Sequence, residues 1–365
     1  MNDNRKRVTI KDVAKKAGVS IGTVSRYIGN SGYVGRDSKE NIAKAIAELG
    51  YIPNVTARSM INKRSRIVGV AVPEINNPFL ADLVVRIDAG LSKKNYSIML
   101  CNTGYNPKKM ETFIDDLIMR NAEGVILVAT DISEKKVLRK IKQYMQGVSV
   151  GQKILNFDSI NFNDFRTAYD ITRHLIRLGH KKIGCIGFNA YASQTVERLE
   201  GVMTALKDTG LAVDEKYMLG YDDPAYKIVE HDGGENGGYI FAKRLLELKD
   251  PPTAIVAIND FYAIGAYEAI YEMNLRVGED ISVMGFDDVN IAKFMTPSLT
   301  TVNCNTGTMA DLAVALLTSK MADGETPVGT EEGKDIVLSS DIILRESVKP
   351  PEKAGKNLNL AIDKV

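Results

Sequence analysis

The chain has no tryptophan, only three histidines and only three cysteines among its 365 residues. Cys101, Cys185 and Cys304 are odd in number and far apart, which argues against a disulfide framework and fits a reducing cytoplasm. Their strand-like surroundings point to packing rather than chemistry. No apolar run approaches the ~20 residues that span a bilayer, and the opening MNDNRKRVTI lacks the apolar core of an export signal. His174, His180 and His231 are scattered, and no HExxH helix, Walker loop or nucleophile elbow occurs. The glycine-rich stretch ending at Gly238 is not followed by Lys-Ser/Thr, so it is no phosphate loop. Catalysis, a metal and a cofactor are therefore not expected, and His180, at a helix-to-strand corner, reads as structural.

What the chain does have is a lopsided charge. Through Arg66 there are 14 Lys and Arg against 5 Asp and Glu, while the rest holds 33 bases and 41 acids. A basic head on an acidic body suggests that the head alone meets a polyanion, although a solvated basic tail has the same composition. The length suits two or three globular units.

The head reads as three short helices. Thr9-Ile10-Lys11-Asp12 has capping-box spacing, and Val13, Ala14 and Ala17 follow at helical intervals. Gly18 ends that helix, Val19 fills the corner and Ser20 caps the next, whose Val24 and Ile28 face inward. Asp37-Ser38-Lys39-Glu40 reads as a second box, opening a helix with Ile42, Ala45, Ile46 and Leu49 on one face and Gly50 as its stop. Two helices joined by a glycine-containing turn, with a third in support, form a helix-turn-helix.

A basic, mostly polar stretch follows as a linker. From Ile67 short apolar runs (Ile67–Val72, Gly124–Ala129, Ile183–Phe188, Ala254–Ile258, Ile281–Phe286) alternate with amphipathic segments. These are Phe79–Lys94, Met110–Arg120, Thr167–Leu178, Arg198–Thr209, Gly238–Leu248 and Tyr262–Met273. The alternation predicts parallel sheet built from βαβ units. The stretch is longer than one sheet needs, so two α/β lobes are expected, with ligands beyond the carboxyl ends of the strands.

Asp12-Val13-Ala14, Ala17-Gly18-Val19-Ser20 and Thr23-Val24-Ser25-Arg26 closely resemble the helix-turn-helix of the lactose-repressor/galactose-repressor (LacI/GalR) family. Ala47 to Asn54 with Ala57-Arg58-Ser59 resembles the end of that headpiece and its hinge. The likeness continues through Asn77-Pro78-Phe79, Leu178 to Ile183, Arg198 to Gly201, Asn259-Asp260, Gly285 to Asp288 and Leu344 to Ser347, and so covers roughly residues 8–348. It implies an all-α headpiece at 1–53, a hinge at 54–66 and a periplasmic-binding-protein-like α/β domain of two parallel-sheet lobes at 67–348, with a tail at 349–365. Lobe one is expected at about 67–165 and 297–325, and lobe two at about 166–296 and 326–348.

The resemblance also assigns roles. Ile21, Gly22 and Arg26 take the base-reading positions of the second helix, where Arg26 can donate twice to a guanine and Ile21 can pack on a thymine methyl. Helix packing is the other reading of Ile21. Thr9, Ser20, Thr23 and Ser25 are placed for phosphates. Tyr51, Asn54 and Ala57 belong to the headpiece-hinge contact set, and Met60 stands where the family wedges a leucine into the minor groove. In the sensor cleft, Arg198, Asp287, Asn259, Phe79 and Gln194 take effector-contact positions, suited to a sugar or sugar derivative. Two departures stand out: Asn163-Asp164 has the inverse of the usual order, and the segment from Tyr221 to Gly238 is long, leaving Tyr221 and Tyr226 as alternatives for a cleft aromatic.

The expected partners are a pseudo-palindromic double-stranded operator, a small effector and a second copy of the chain, since one head makes too few contacts. The tail shows no heptad repeat that would build a tetramer. A sugar-binding protein without gene regulation would lack the basic head. Within the family, a catabolite-control regulator answering a phosphorylated carrier protein is the rival to a local repressor of carbohydrate genes.

Overall fold

The computed structural model describes residues 8–29, 32–51, 64–130, 135–154, 157–188, 193–220, 234–323 and 333–351. Asn54, Ala57, Met60, Tyr221 and Tyr226 lie outside these residues. The chain divides into two units, residues 1–65 and 66–365.

The first unit is α1 (Ile10–Ala17), α2 (Ile21–Gly29) and α3 (Arg36–Leu49). Helical spacing brings Val13, Ala14, Ala17, Val24, Ile42 and Ala45 into one core with Val34. The Thr9 amide and hydroxyl both donate to the Asp12 carboxylate, at 2.9 and 2.7 Å, and the Thr23 amide donates to the Ser20 hydroxyl oxygen at 3.1 Å. Gly18 and Gly50 end α1 and α3 at φ of +66° and +59°, where any Cβ is strained. Contrary to the expected second capping box, α3 starts at Arg36 behind Gly35 and has no side-chain cap. Asp37 lies inside the first turn instead, where its charge complements the helix dipole.

The second unit has two parallel sheets. The first runs in the order β11-β5-β4-β3-β1-β2, with β1 (Ile67–Val72), β2 (Ser97–Asn102), β3 (Gly124–Val128), β4 (Gln146–Val150), β5 (Asp158–Phe162) and β11 (Asp335–Leu338). Strand β1 pairs with β2 and β3 on either side and is almost wholly buried, as a parallel strand covered on both faces must be. Its helices are α4 (Pro78–Lys93), α5 (Pro107–Met119), α6 (Lys135–Tyr144) and α11 (Thr306–Asp323). Leu83 and Ile87 of α4 pack with Val314 and Leu317 of α11 beside β1 and β3.

The second sheet runs β7-β6-β8-β9, with β6 (Ile183–Phe188), β7 (Met218–Gly220), β8 (Ala254–Ala257) and β9 (Ser282–Met284). Helices α7 (Asp164–Arg177), α8 (Ser193–Asp208), α9 (Gly234–Leu246) and α10 (Asp260–Glu272) cover it. Two short strands, β10 (Thr301–Asn303) and β12 (Asp341–Ile343), pair antiparallel. Among the described residues no helix is long and apolar enough to cross a membrane.

The chain passes between the lobes three times: from β5 to α7, from β10 to α11, and from β11 to β12. Two assignments drawn from the resemblance change accordingly. Residues 335–338, expected in lobe two, pair in parallel with β5 of the first sheet. Residues 299–304, expected in lobe one, contribute Leu299, Val302 and Cys304 to the core of the second lobe. Short strands carry too little apolar periodicity to reveal which sheet they join, and pairing partners settle it.

Candidate nucleic-acid interface and interlobe cleft

On the headpiece, Ile21, Gly22 and Arg26 are exposed along one side of α2, while Val24 on the opposite side is wholly buried. Ile21 keeps 44% of its surface in solvent, so it is not spent on helix packing. A Cβ on Gly22 would meet nothing closer than Ser20 Oγ at 3.7 Å, so packing does not require glycine there. Thr9 and Ser20 are exposed at the starts of α1 and α2, while Thr23, Ser25 and Tyr51 are half-buried. The Ser20 hydroxyl oxygen caps α2 by accepting the Thr23 amide, and it also bonds the Thr23 hydroxyl at 2.9 Å.

In the sensor unit the loops leaving the carboxyl ends of the two sheets enclose a cavity of about 990 Å³ lined by Phe79, Asp287, Asp288, Asn303 and Thr306. Phe79 owes its place to Asn77, whose side chain caps α4 by accepting the Phe79 and Leu80 amides. The ring touches the cores of both lobes.

Arg198 gathers the polar groups beside Asp287. Its Nε donates to Asp164 at 2.6 Å, its Nη1 donates to the Ile258 carbonyl at 2.6 Å, and its guanidinium lies 4.2 Å from the centre of the Phe286 ring. Arg198 and Asp164 side chains are each only 11% exposed, so neither is a surface residue of its helix. Burial alone would lower the guanidinium, but the Asp164 and Asp287 carboxylates beside it raise it, so its charge is held firmly. Asp164 was visible in the sequence only as an inverted Asn-Asp pair. The order now has a cause: Asn163 caps α7 by accepting the Arg166 amide at 2.8 Å, and the next residue is free to reach Arg198.

Asp287 sits beside this group. Burial pushes its carboxyl up to about 7, against the lowering influence of Arg198 and with a further push from Asp164. Its backbone φ is +105° and that of Asp288 is +53°, each a conformation costing of order 1–3 kcal/mol in a non-glycine residue. The bend is held by the Asp287 amide donating to the Val302 carbonyl at 2.9 Å, and by Asp288 bonding Arg345 at 2.6 Å and Asn303 at 2.9 Å. Behind it, buried Asp260 accepts from the Thr301 hydroxyl at 2.5 Å and the Val289 amide at 2.9 Å. A Cβ on Gly285 would lie 2.2 Å from Asp260 Oδ1. Gly285→Ala is accordingly expected to cost about 1–3 kcal/mol, read as a lower urea midpoint by circular dichroism, the natural probe for a chain without tryptophan.

Other expected positions divide. Asn259 accepts the Tyr262 amide at 3.0 Å as the cap of α10, so its carbonyl oxygen has a structural task. Gln194 belongs to the first turn of α8, and its Oε1 is buried without a partner among the described residues. His180 is 1% exposed, donates from Nε2 to the Lys349 carbonyl at 2.9 Å and meets Thr253 through Nδ1, a structural role. Ser347 bonds Val283 and Thr300, and Arg345 the Leu299 carbonyl, so the Leu344 to Ser347 block straps the second lobe. Asp164, Asp260 and Phe286 stand in segments the sequence reading singles out, but their contacts are hidden because their partners are distant along the chain.

A three-helix head of this geometry followed by a two-lobed sensor defines a DNA-binding transcription regulator. Residues 9–54 match the bacterial regulatory proteins of the lacI family, and residues 172–348 match the periplasmic binding protein-like domain. The chain is 30% identical over 93% of its length to the HTH-type transcriptional repressor PurR of Haemophilus influenzae (strain PittEE), covering 98% of that protein. It is also 30% identical, over the same shares of each chain, to the ribose operon repressor of Haemophilus influenzae (strain ATCC 51907 / DSM 11121 / KW20 / Rd). The lac repressor dimer bound to operator and the anti-inducer ONPF superposes with a TM-score of 0.78 at 25% identity, over 94% of this chain and 100% of that one. The chain belongs to the LacI family, and it is a ligand-responsive, DNA-binding transcriptional repressor.

Proposed function

We propose that the chain acts in the cytoplasm as a homodimer that represses genes of carbohydrate uptake or catabolism and answers a sugar or sugar derivative held between its lobes. The observation that carries this reading is the buried Arg198–Asp164 pair with Asp287 at its side, a fixed donor and a carboxylate at the carboxyl ends of the second lobe's strands. Such groups recognise vicinal hydroxyls, with Phe79 offering an apolar face in the cavity that Asp287 also lines. Gln194 and Asn259 complete the effector set.

On DNA, Ile21, Gly22 and Arg26 read bases from the major groove, and Thr9, Ser20, Thr23 and Ser25 engage phosphates. Tyr51, Asn54 and Ala57 extend this contact, and Met60 enters the minor groove at the dimer axis. Effector binding shifts the lobe arrangement and with it the operator affinity. Arg26→Ala is expected to weaken specific binding by about 1–3 kcal/mol and to relax selectivity at one base pair, measured by gel shift against operator variants. Unchanged selectivity removes Arg26 from the reading set.

Selection of genomic fragments by the purified protein tests the reading as a whole. Enriched pseudo-palindromes beside carbohydrate transport or hydrolase genes support it, and sites scattered over many unrelated metabolic operons count against a local repressor.

A further inference from the structure

Resting on the reading of Asp287 as an effector contact, the wall of the cavity shows a route from that contact to the first lobe. The second of the three crossings, from β10 to α11, is made by Cys304 and Asn305 alone. Asn305 has a backbone φ of +31°, a strained conformation that persists in a non-glycine residue only where its surroundings hold it. What holds it is Asn303, whose Oδ1 accepts the Asn305 amide at 2.7 Å. The Nδ2 of the same side chain donates to Asp288 at 2.9 Å. The amide has one workable orientation, because a backbone N–H can only donate and the carboxylate paired with Arg345 accepts. One planar group therefore grips the strained crossing with its oxygen and the strained Asp287–Asp288 bend with its nitrogen.

The connection is anchored at both ends. In the second lobe, Arg345 holds Asp288 at 2.6 Å and the Leu299 carbonyl at 2.8 Å. In the first lobe, the Asn305 side chain caps α11 by accepting the Thr308 amide at 3.1 Å. The Thr306 hydroxyl then donates to Asp82 of α4 at 2.5 Å. Asp288, Asn303, Asn305, Thr306 and Asp82 all line the cavity onto which Asp287 opens. An asparagine that merely shaped the turn into α11 would need its oxygen alone. The bond from its nitrogen to Asp288 is what sets Asn303 apart.

We propose that Asn303 is a positioning residue that couples the effector-facing bend to the first lobe. A ligand drawing on Asp287 shifts the Asp287–Asp288 bend, and the Asp288 carboxylate carries the Asn303 amide with it. The Asn305 N–H then loses or regains its acceptor, and the crossing changes conformation under α11 and α4. A short crossing that absorbs a backbone change between two packed lobes is a hinge, and Asn303 gives this one an input from the ligand side. The coupling is physical rather than a matter of proximity only if disturbing one end alters the other through Asn303.

Hydrogen–deuterium exchange on the full-length protein without ligand, read by mass spectrometry at residues 304–308, tests this. Asp288→Ala, made in the second lobe, should speed exchange in that segment about 5-fold or more, the scale of one lost hydrogen bond. Asn303→Ser keeps an oxygen for the Asn305 amide but has no amide nitrogen to offer Asp288. Exchange in Asn303→Ser should stay within about 2-fold of the wild type, and adding Asp288→Ala to it should raise exchange no further than about 2-fold. Arg345→Lys loosens Asp288 without removing it, and should give a smaller rise that Asn303→Ser again blocks. It serves where Asp288→Ala does not fold. A segment indifferent to both Asp288→Ala and Arg345→Lys overturns the coupling. So does a rise that persists undiminished in the Asn303→Ser background, since the disturbance then travels by another route. No effector enters these measurements, so a protein that stays responsive in Asp287→Ala moves the effector site and leaves this coupling as measured.

Discussion

Replacing Arg198 with methionine is expected to cost about 3–5 kcal/mol of stability, among the largest losses for any single side chain in the sensor unit. The magnitude comes from what is left behind. Asp164 is 8% exposed, and without Arg198 its carboxylate has lost its cation while still surrounded by protein. The Ile258 carbonyl loses a donor and the Phe286 face its cation in the same change. Pairing Arg198→Met with Asp164→Leu should recover much of the loss, because an apolar pair of similar volume avoids the desolvation that a lone charge cannot. Urea unfolding followed by circular dichroism measures both variants. A double variant no more stable than the single one shows that the cost lies in packing around Phe286 rather than in the unpaired carboxylate.

The second large effect concerns control. Asp287→Ala is expected to abolish the effector's influence on operator binding, tested on protein that still shifts operator DNA. A fully responsive variant moves the effector site away from Asp287. The wild-type carboxyl also predicts a pH signature. The groups facing it are Arg198, Asp164, Asp260 and the Cys304 thiol, the last two themselves pushed up, first by burial. With its carboxyl raised to about 7, Asp287 is largely protonated below that pH and ionised above it. Ligand hydroxyls donate to the ionised form, so effector affinity rises as pH climbs through 7 and levels off beyond, by up to tenfold per unit below the midpoint. Stability moves the opposite way. The folded state holds this proton more tightly than the unfolded chain, so stability is lost as pH rises from about 4 to 7, and Asp287→Asn should stabilise the protein most above pH 7. Flat affinity between pH 6 and 8 refutes the titration.

Much of this architecture is legible in the residues themselves. The head is readable because Val13, Val24 and Ile42 follow helical spacing and because Gly18 and Gly50 stop their helices. The alternation of β1, β3, β6 and β8 with helices announces parallel sheet, since strands buried on both faces are apolar throughout. Edge strand β2 and the polar β4 and β5 escape notice, the former because it is half exposed, the latter two because residues such as Ser149 and Ser159 are buried with their hydroxyls bonded. Arg198 and Asp287 are found by resemblance, whereas Asp164 shows only as half of an inverted pair. What makes it matter is proximity to Arg198 created by folding, and no local pattern of residues encodes it.

The threefold passage of the chain between the lobes has a consequence for synthesis. The head's core is closed by contiguous residues that leave the ribosome first, whereas β11 completes the first sheet only at Leu338 and the Arg345–Ser347 strap secures the second after that. Neither lobe can therefore finish folding on a nascent chain until the residues through Ser347 have been made. A message broken before the codon for Asp335 yields a head able to fold and a sensor lacking strands of both lobes, so such truncated products lose effector control entirely rather than by halves.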